Sequence, residues 1–252
     1  MIEIWHEEAR NGKGNMDRDL ELFELVRSGK HTTVFRTYEW KPWTVSLGKH
    51  QETDKMHVDK IEKRGYDLVW RPTGGRAVLH AQELTYCVAK RTQNAQALYA
   101  SVHEFLRKQL NSISRFLDYE QAPTDLNKHY QSNAALGQVC FTSSARTELM
   151  AHNRKVVGSA QRVIEDIVLQ HGSILIGDAH ADIAEFLSEN KTQEKTLRRR
   201  ILGASISLTE LAGREVTADE VRKALGTEFV DSSPPEPPTE EEEETSSPTD
   251  TQ

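Results

Sequence analysis

Arg71-Pro72-Thr73-Gly74-Gly75-Arg76-Ala77-Val78-Leu79-His80 is the stretch on which the reading of this chain turns. Residues 66–70 before it and 84–89 after it carry β-branched, aromatic and aliphatic side chains and are expected to be strands. Gly-Gly between two strands is compatible with a plain hairpin turn that needs positive φ. A second reading stands beside that one. Arg71 and Arg76 flank a segment with little side-chain bulk. Bare backbone N–H groups next to guanidinium forks suit a carboxylate, a phosphate or a thioester carbonyl.

The rest of the 252 residues limits the choice. The formal net charge is −7, but 8 of the 39 acidic residues lie beyond Val230, in a Ser/Pro/Glu-rich end without a basic residue. The remaining 31 acids face 32 Lys and Arg, so the body is near neutrality and has no nucleic-acid footprint. We expect a catalytic domain over 1–230 and a disordered acidic tail over 231–252. No apolar run is long enough for a membrane span or a signal peptide. Two cysteines, Cys87 and Cys140, make neither a disulfide framework nor a metal spacing, and the expected location is the reducing cytoplasm.

In chain order, residues 2–5 alternate like an opening edge strand, and a helix is expected over 16–26. Strands follow at 33–38 and 44–48, with a short helix over 53–63 ending at Gly65. The clearest helix spans 95–113, where Leu98, Val102, Phe105, Leu106, Leu110 and Ile113 share one face. The polar stretch 119–139 has the length of a functional or disordered loop, and it ends at Cys140-Phe141. Strand alternation over 154–162 places Lys155, Val157, Ser159 and Gln161 on one face. An apolar strand over 167–176 is interrupted by Gln170-His171-Gly172-Ser173. Asp178 is positioned to cap a helix through 187, and Ser207-x-x-Glu210 and Thr217-x-x-Glu220 are capping-box patterns.

Several of these residues can carry chemistry. Cys87 sits in an apolar strand and reads as a small hydrophobe, whereas Cys140 follows a polar loop. A nearby cation turns a thiol into a nucleophilic thiolate, and Lys155 is the candidate for that charge. Lys155 leads into Gly158-Ser159-Ala160, small residues that let a ligand approach the backbone. His80 and His171 are either satisfied structural histidines or site residues. No nucleophile elbow, Walker A sequence or dinucleotide fingerprint is present, and no metal site is spelled out.

These blocks, in this order, resemble the family of lipoate and biotin protein ligases and octanoyltransferases. The similarity runs from Arg71–Tyr86 through Val139-Cys140-Phe141 to Arg154–Arg162 and Leu169–Leu175. It implies an α/β (α+β) fold with a mixed, largely antiparallel sheet and packed helices. Arg76 and the Val-Cys-Phe segment are most similar to the cysteine-dependent octanoyltransferase branch. That branch implies transfer of octanoyl from octanoyl-acyl-carrier protein to a lysine of a lipoyl-accepting protein, such as the glycine-cleavage H protein or a dehydrogenase E2 lipoyl domain. Cys140 would carry the acyl thioester, and Lys155 would act as base and oxyanion neighbour, held partly neutral by burial and neighbouring cations. Substrate contacts are implied at Arg71, Thr73, Gly74, Gly75, Arg76, Val78 and His80, with Leu79 as a further wall of the chain tunnel. Opposite them, Val157, Gly158, Ser159, Ala160, Gln161, His171 and Gly172 are implied to form the other side. The resemblance implies a monomer with no cofactor, no metal, no membrane and no nucleic acid. Three alternatives stay open: an ATP-dependent lipoate ligase, an amidotransferase between lipoyl-bearing proteins, and a non-catalytic lipoyl-binding scaffold. Two departures stand out. Asp17 occupies the alanine position of the Asn-x-Ala-x-Asp-Glu pattern, and Ala81 stands where relatives carry Asp, which leaves His80 without an adjacent carboxylate.

Overall fold

The computed structural model describes residues 1–115, 118–120 and 148–233. Cys140, with the segment that holds it, lies outside the described residues, as does the acidic tail beyond Ser233. The chain opens with β1 (Ile2–His6), α1 (Gly12–Arg27), β2 (Thr33–Tyr38) and β3 (Thr44–Leu47). Then come α2 (Val58–Lys63), β4 (Asp67–Trp70), β5 (Val78–His80), β6 (Glu83–Arg91) and α3 (Ala95–Leu110). After β7 (Asp118–Glu120), three strands follow: β8 (Glu148–Ala151), β9 (Arg154–Ile164) and β10 (Ile167–Leu175). The 3-10 helix Ala179–Leu187 leads to α4 (Lys191–Ala204), α5 (Leu208–Ala212), α6 (Ala218–Leu225) and β11 (Glu228–Phe229).

Two sheets result. The larger has the order β11-β1-β2-β6-β10-β9-β8-β7 and is antiparallel except at β1–β2. The smaller has the order β4-β3-β5, with β4 parallel and β5 antiparallel to β3. The expected mixed, largely antiparallel α/β architecture is therefore present. Position in the sheet explains the composition of β10. It lies between β6 and β9, every residue from Ile167 to Leu175 is buried, and Gln170-His171-Gly172-Ser173 continues the ladder without a break. One face of the large sheet packs on α3, with Phe35, Tyr86, Val88, Leu98, Phe105 and Leu106 in one cluster. On the other face, Leu22, Phe23 and Val26 of α1 pack on Val34, Cys87, Ala89 and Leu169. The small sheet has its own core, where Val45, Leu47 and Leu79 meet Phe186, Leu197 and Ile201.

The hairpin reading of the Gly-Gly stretch is overturned. β4 and β5 do not pair with each other, because β3 lies between them. The Thr-Gly-Gly segment is a crossover spanning the end of β3, and its approach to Gly48 is close: a Cβ on Gly48 would lie 2.0 Å from the carbonyl oxygen of Gly75. Gly75 takes φ +97°, a conformation open to glycine. β1 is not an edge, since Ile2 and Glu3 pair with Phe229 and Glu228 of β11. The helix expected from 53 begins only at Val58, because the His57 amide is committed to the Phe186 carbonyl at 2.8 Å. Asp178 caps nothing through its side chain and instead pairs with Arg198 at 3.0 Å, leaving a 3-10 helix. Each capping-box pattern supplies its N-cap half: the Ser207 and Thr217 hydroxyls accept from the amides of Glu210 and Glu220, both at 3.2 Å, while the two glutamate carboxylates face Arg154 and Arg214. Asp231 pairs with Lys90 at 2.6 Å, and the Ser232 amide donates to Ser101 at 2.8 Å, so the chain stays docked past Val230.

Candidate active site

The small sheet lies over the face of the large sheet that carries α1. Between them is a partly open cleft, with Met16, Tyr38, Trp40 and Val78 as apolar wall. Its polar lining comes from Ser46, Arg71, His80, Thr85, His171 and Ser173, with Gly158, Ser159, Ala160 and Gly172 on the large sheet. Gly172 has no room for a side chain, since a Cβ there would lie 2.6 Å from the Gly158 carbonyl oxygen and 2.7 Å from the Tyr86 ring.

The Gly-Gly crossover is held from within. Arg71 is buried, and its guanidinium donates to the carbonyls of Gly74 (2.9 Å), Arg76 (2.7 Å) and Ser46 (3.1 Å) and to Ser46 Oγ (3.2 Å). Arg162 donates to the Pro72 carbonyl at 3.2 Å. The expectation that Arg71 and Arg76 jointly cradle an anion changes accordingly. A glycine turn folded over buried strands leaves carbonyls without ladder partners, and Arg71 satisfies them. Arg76 contributes its carbonyl as one of those acceptors and is not part of the cleft lining.

His171 ties this crossover to α1. Its Nδ1 faces Asp19 Oδ2 at 3.3 Å and its Nε2 faces Thr73 Oγ1 at 2.5 Å. Asp19 is fully buried and accepts from Arg36 at 2.7 and 3.0 Å and from the Tyr38 hydroxyl at 3.1 Å. Burial works to raise the Asp19 carboxyl, but Arg36 and His171 outweigh it and hold it below the usual range. Burial lowers His171 against the pull of Asp19. A neutral ring that donates from Nδ1 to the carboxylate accepts at Nε2 from Thr73, so the network fixes the tautomer. Asp17, the departure from the helix pattern, is exposed and pairs with Lys13, on the opposite side of α1 from these contacts.

His80 has a carboxylate after all, supplied by Glu83 instead of position 81. Its Nδ1 lies 2.7 Å from Glu83 Oε1 and its Nε2 lies 2.8 Å from Ser46 Oγ. The ring stacks on Trp40 at 4.2 Å. Thr85 donates to Glu83 at 2.5 Å and accepts from the Trp40 indole at 2.7 Å. Burial raises the Glu83 carboxyl, and the facing His80 with the Ser173 and Thr85 hydroxyls more than reverses it.

Lys155 is buried, and its ammonium meets Glu148 at 2.8 Å. The facing charge is an anion where cations were expected, and the two form an ion pair. The alternation read over 154–162 also breaks at its start. Leu149 pairs with Val157 but Met150 with Lys155, so Val156 is an extra residue and Lys155 is out of phase with the positions beyond it. Val157 packs in the α3 cluster and Leu79 in the small-sheet core, so neither walls the cleft. Ser159 bonds Tyr86 (2.7 Å) and His103 (2.9 Å), and Gln161 bonds the Ala95 carbonyl (2.9 Å) and Gln170 (2.8 Å), all on the α3 side. Cys87 is buried, and burial beside Asp19 pushes its thiol well up, away from reactivity.

Asp19, Arg36, Ser46, Glu83 and Glu148 were not singled out from the sequence. Asp19 left a signal: with Asn15, Met16, Leu22, Phe23 and Val26 it lies on the buried stripe of α1, and a carboxylate on an apolar stripe demands a partner. Ser46 and Glu83 gave none: Ser46 meets His80 only because β5 pairs with β3, and Glu83 only through the turn at Gln82.

This two-sheet fold with a glycine crossover closing a cleft is the fold of lipoate ligase catalytic domains. The structure of lipoate-protein ligase A bound with ATP superposes with TM-score 0.64 at 20% identity, covering 89% of this chain and 82% of that one. The bipartite lipoate protein ligase of Thermoplasma acidophilum gives TM-score 0.62 at 18% identity, covering 89% and 81%. The chain belongs to the lipoyl protein ligase A/B catalytic domain family, whose model matches residues 11–230. Among curated proteins it is 34% identical over 226 residues to octanoyltransferase LipM of Exiguobacterium sibiricum, covering 86% of this chain and 82% of that protein. LipM of Anoxybacillus flavithermus is also 34% identical, over 85% and 80%.

Proposed function

We propose that this chain is an octanoyltransferase of lipoate biosynthesis, moving octanoyl from acyl-carrier protein to a lysine of a lipoyl-accepting protein through a thioester on Cys140. The observation that carries the reading is the cleft between the two sheets, where a few polar groups converge beside an apolar wall. Its wall of Met16, Tyr38, Trp40 and Val78 suits an unbranched apolar chain. The similarity to proteins named octanoyltransferase LipM supports the same acyl group.

The chemistry has two steps. The Cys140 sulfur attacks the donor thioester carbonyl, a new C–S bond forms, and the carrier thiol leaves with a proton. The acceptor amine then attacks the acyl-enzyme, a C–N bond replaces the C–S bond, and the Cys140 thiol is restored. The donor is already activated, so ATP has no part in either step. Lys155, paired with Glu148, supports the oxyanion of both tetrahedral intermediates, a kind of contribution on the order of 3 kcal/mol per donor.

Intact-mass measurement after mixing with octanoyl-acyl-carrier protein tests this. A hydroxylamine-sensitive octanoyl adduct, formed without ATP and lost in Cys140→Ala, is the expected result. Transfer that survives Cys140→Ala and requires ATP would sink the reading in favour of a ligase. An adduct formed only from an octanoylated lipoyl-bearing protein would replace the donor.

A further inference from the structure

We infer that Ser46, His80 and Glu83 form the proton relay of the second step, in which the acceptor amine attacks the acyl-enzyme; this rests on the acyl-transfer reading above. The three side chains come from β3, the end of β5 and the start of β6. Arg71 Nη1 donates to Ser46 Oγ at 3.2 Å, which directs the serine hydrogen toward His80 Nε2 at 2.8 Å. His80 Nδ1–H in turn donates to Glu83 Oε1 at 2.7 Å. Stacking on Trp40 fixes the ring plane. Ser46 and His80 both line the cleft. Ser173, 3.4 Å from His80 Nδ1, pairs across the sheet with Gly158, and both line the same cleft.

The step needs such a group. An acceptor lysine arrives as an ammonium with an ordinary pKa of about 10.4. It loses one proton to become a nucleophile and a second when the amide forms. Lys155 is paired with Glu148, and both ring nitrogens of His171 are committed to Asp19 and Thr73. In the relay, Ser46 Oγ accepts the amine proton as its own passes to His80 Nε2, and Glu83 faces the resulting imidazolium. When the C–S bond breaks, His80 gives that proton up to the departing thiolate, and the other goes to solvent. The charged and titratable groups around His80 are Glu83 on β6, Arg71 in the crossover, His171 on β10 and His180 beside Glu83. Glu83 acts through His80 and is a positioning residue.

The test separates the half-reactions on the full chain. Octanoyl loading of Cys140 from octanoyl-acyl-carrier protein and its discharge to a lipoyl domain are each followed by intact mass. His80→Gln is expected to slow discharge at least ~100-fold, the scale of general-base assistance, and far more than it slows loading. Ser46→Ala, which keeps the His80–Glu83 pair, shows the same split. Glu83→Gln, which keeps the shape and removes the facing charge, slows discharge about tenfold, again more than loading. Discharge at the parent rate in His80→Gln and Ser46→Ala, or equal slowing of the two half-reactions in all three variants, overturns the relay. Failure of the parent protein to load would instead overturn the thioester reading.

Discussion

Replacing Asp19 with Asn tests the buried centre of the structure. Four hydrogen bonds converge on this carboxylate: two from Arg36, one from the Tyr38 hydroxyl and one from His171. All three partners donate, so an acceptor-only side chain is required. Asn keeps the shape but removes the charge and presents an NH2 group to at least one donor. Arg36 has no exposed surface, and its remaining partners are the Asn15 carbonyl at 2.7 Å and Glu7 at 2.9 Å. Breaking a buried pair from one side costs about 3–5 kcal/mol, a large part of the ~5–15 kcal/mol that holds a domain together. At ~2–4 °C per kcal/mol for a domain of this size, Tm falls by roughly 10 °C. Urea titration of Asp19→Asn, Arg36→Met and the double variant measures it, with a coupling of at least about 2 kcal/mol expected. The second effect is on Thr73: with His171 unanchored the crossover loosens, and octanoyl loading slows. A loss under about 1 kcal/mol, or additivity of the two changes, would refute the account of this network.

Three further outcomes are expected. His103 and His180 are buried, and burial lowers them to about 3 and about 4. Both stay neutral in the fold while the unfolded chain protonates near 6.5, so stability is full above that value and declines as pH falls toward 4, by on the order of 1 kcal/mol per unit for each histidine; urea midpoints at pH 7, 6 and 5 check the slope. Gly48→Ala drives a Cβ against the Gly75 carbonyl and should cost about 1–3 kcal/mol, with slower loading by intact mass, whereas an Ala at exposed Gly29 meets no neighbouring atom and loses only what its φ of +74° exacts. A chain ending at Ser233 should melt with the full protein, while one ending at Val230 loses the Lys90–Asp231 pair; burial opposes but Lys90 and Ser233 prevail in drawing the Asp231 carboxyl down to about 2, and equal melting of both truncations would count against a docked segment.

The sequence by itself determined what is local or periodic. Residues 33–38 contain a continuous β-favouring run and form β2 with those bounds. Ser207 and Thr217 sit three residues before a glutamate, and both cap helices. The order of the blocks around Arg71–His80, Lys155 and His171 carried the family and, with it, the class of sheet. What the sequence left open depends on which strand lies next to which. Gly-Gly between two strands fits a hairpin and a crossover equally well, and the choice was made by β3 inserting between β4 and β5. Arg71 reads as an anion ligand until the crossover's own carbonyls surround it. The bulge at Val156 removed Lys155 from the phase of its strand, and Glu148, from β8, gave it its partner. His80 found its carboxylate at Glu83 because the turn at Gln82, with φ 50°, carries the chain from the small sheet into the large one and sets Glu83 against the ring. Hydrogen bonds and charges act over a few ångströms, and only the folded chain decides which residues come that close.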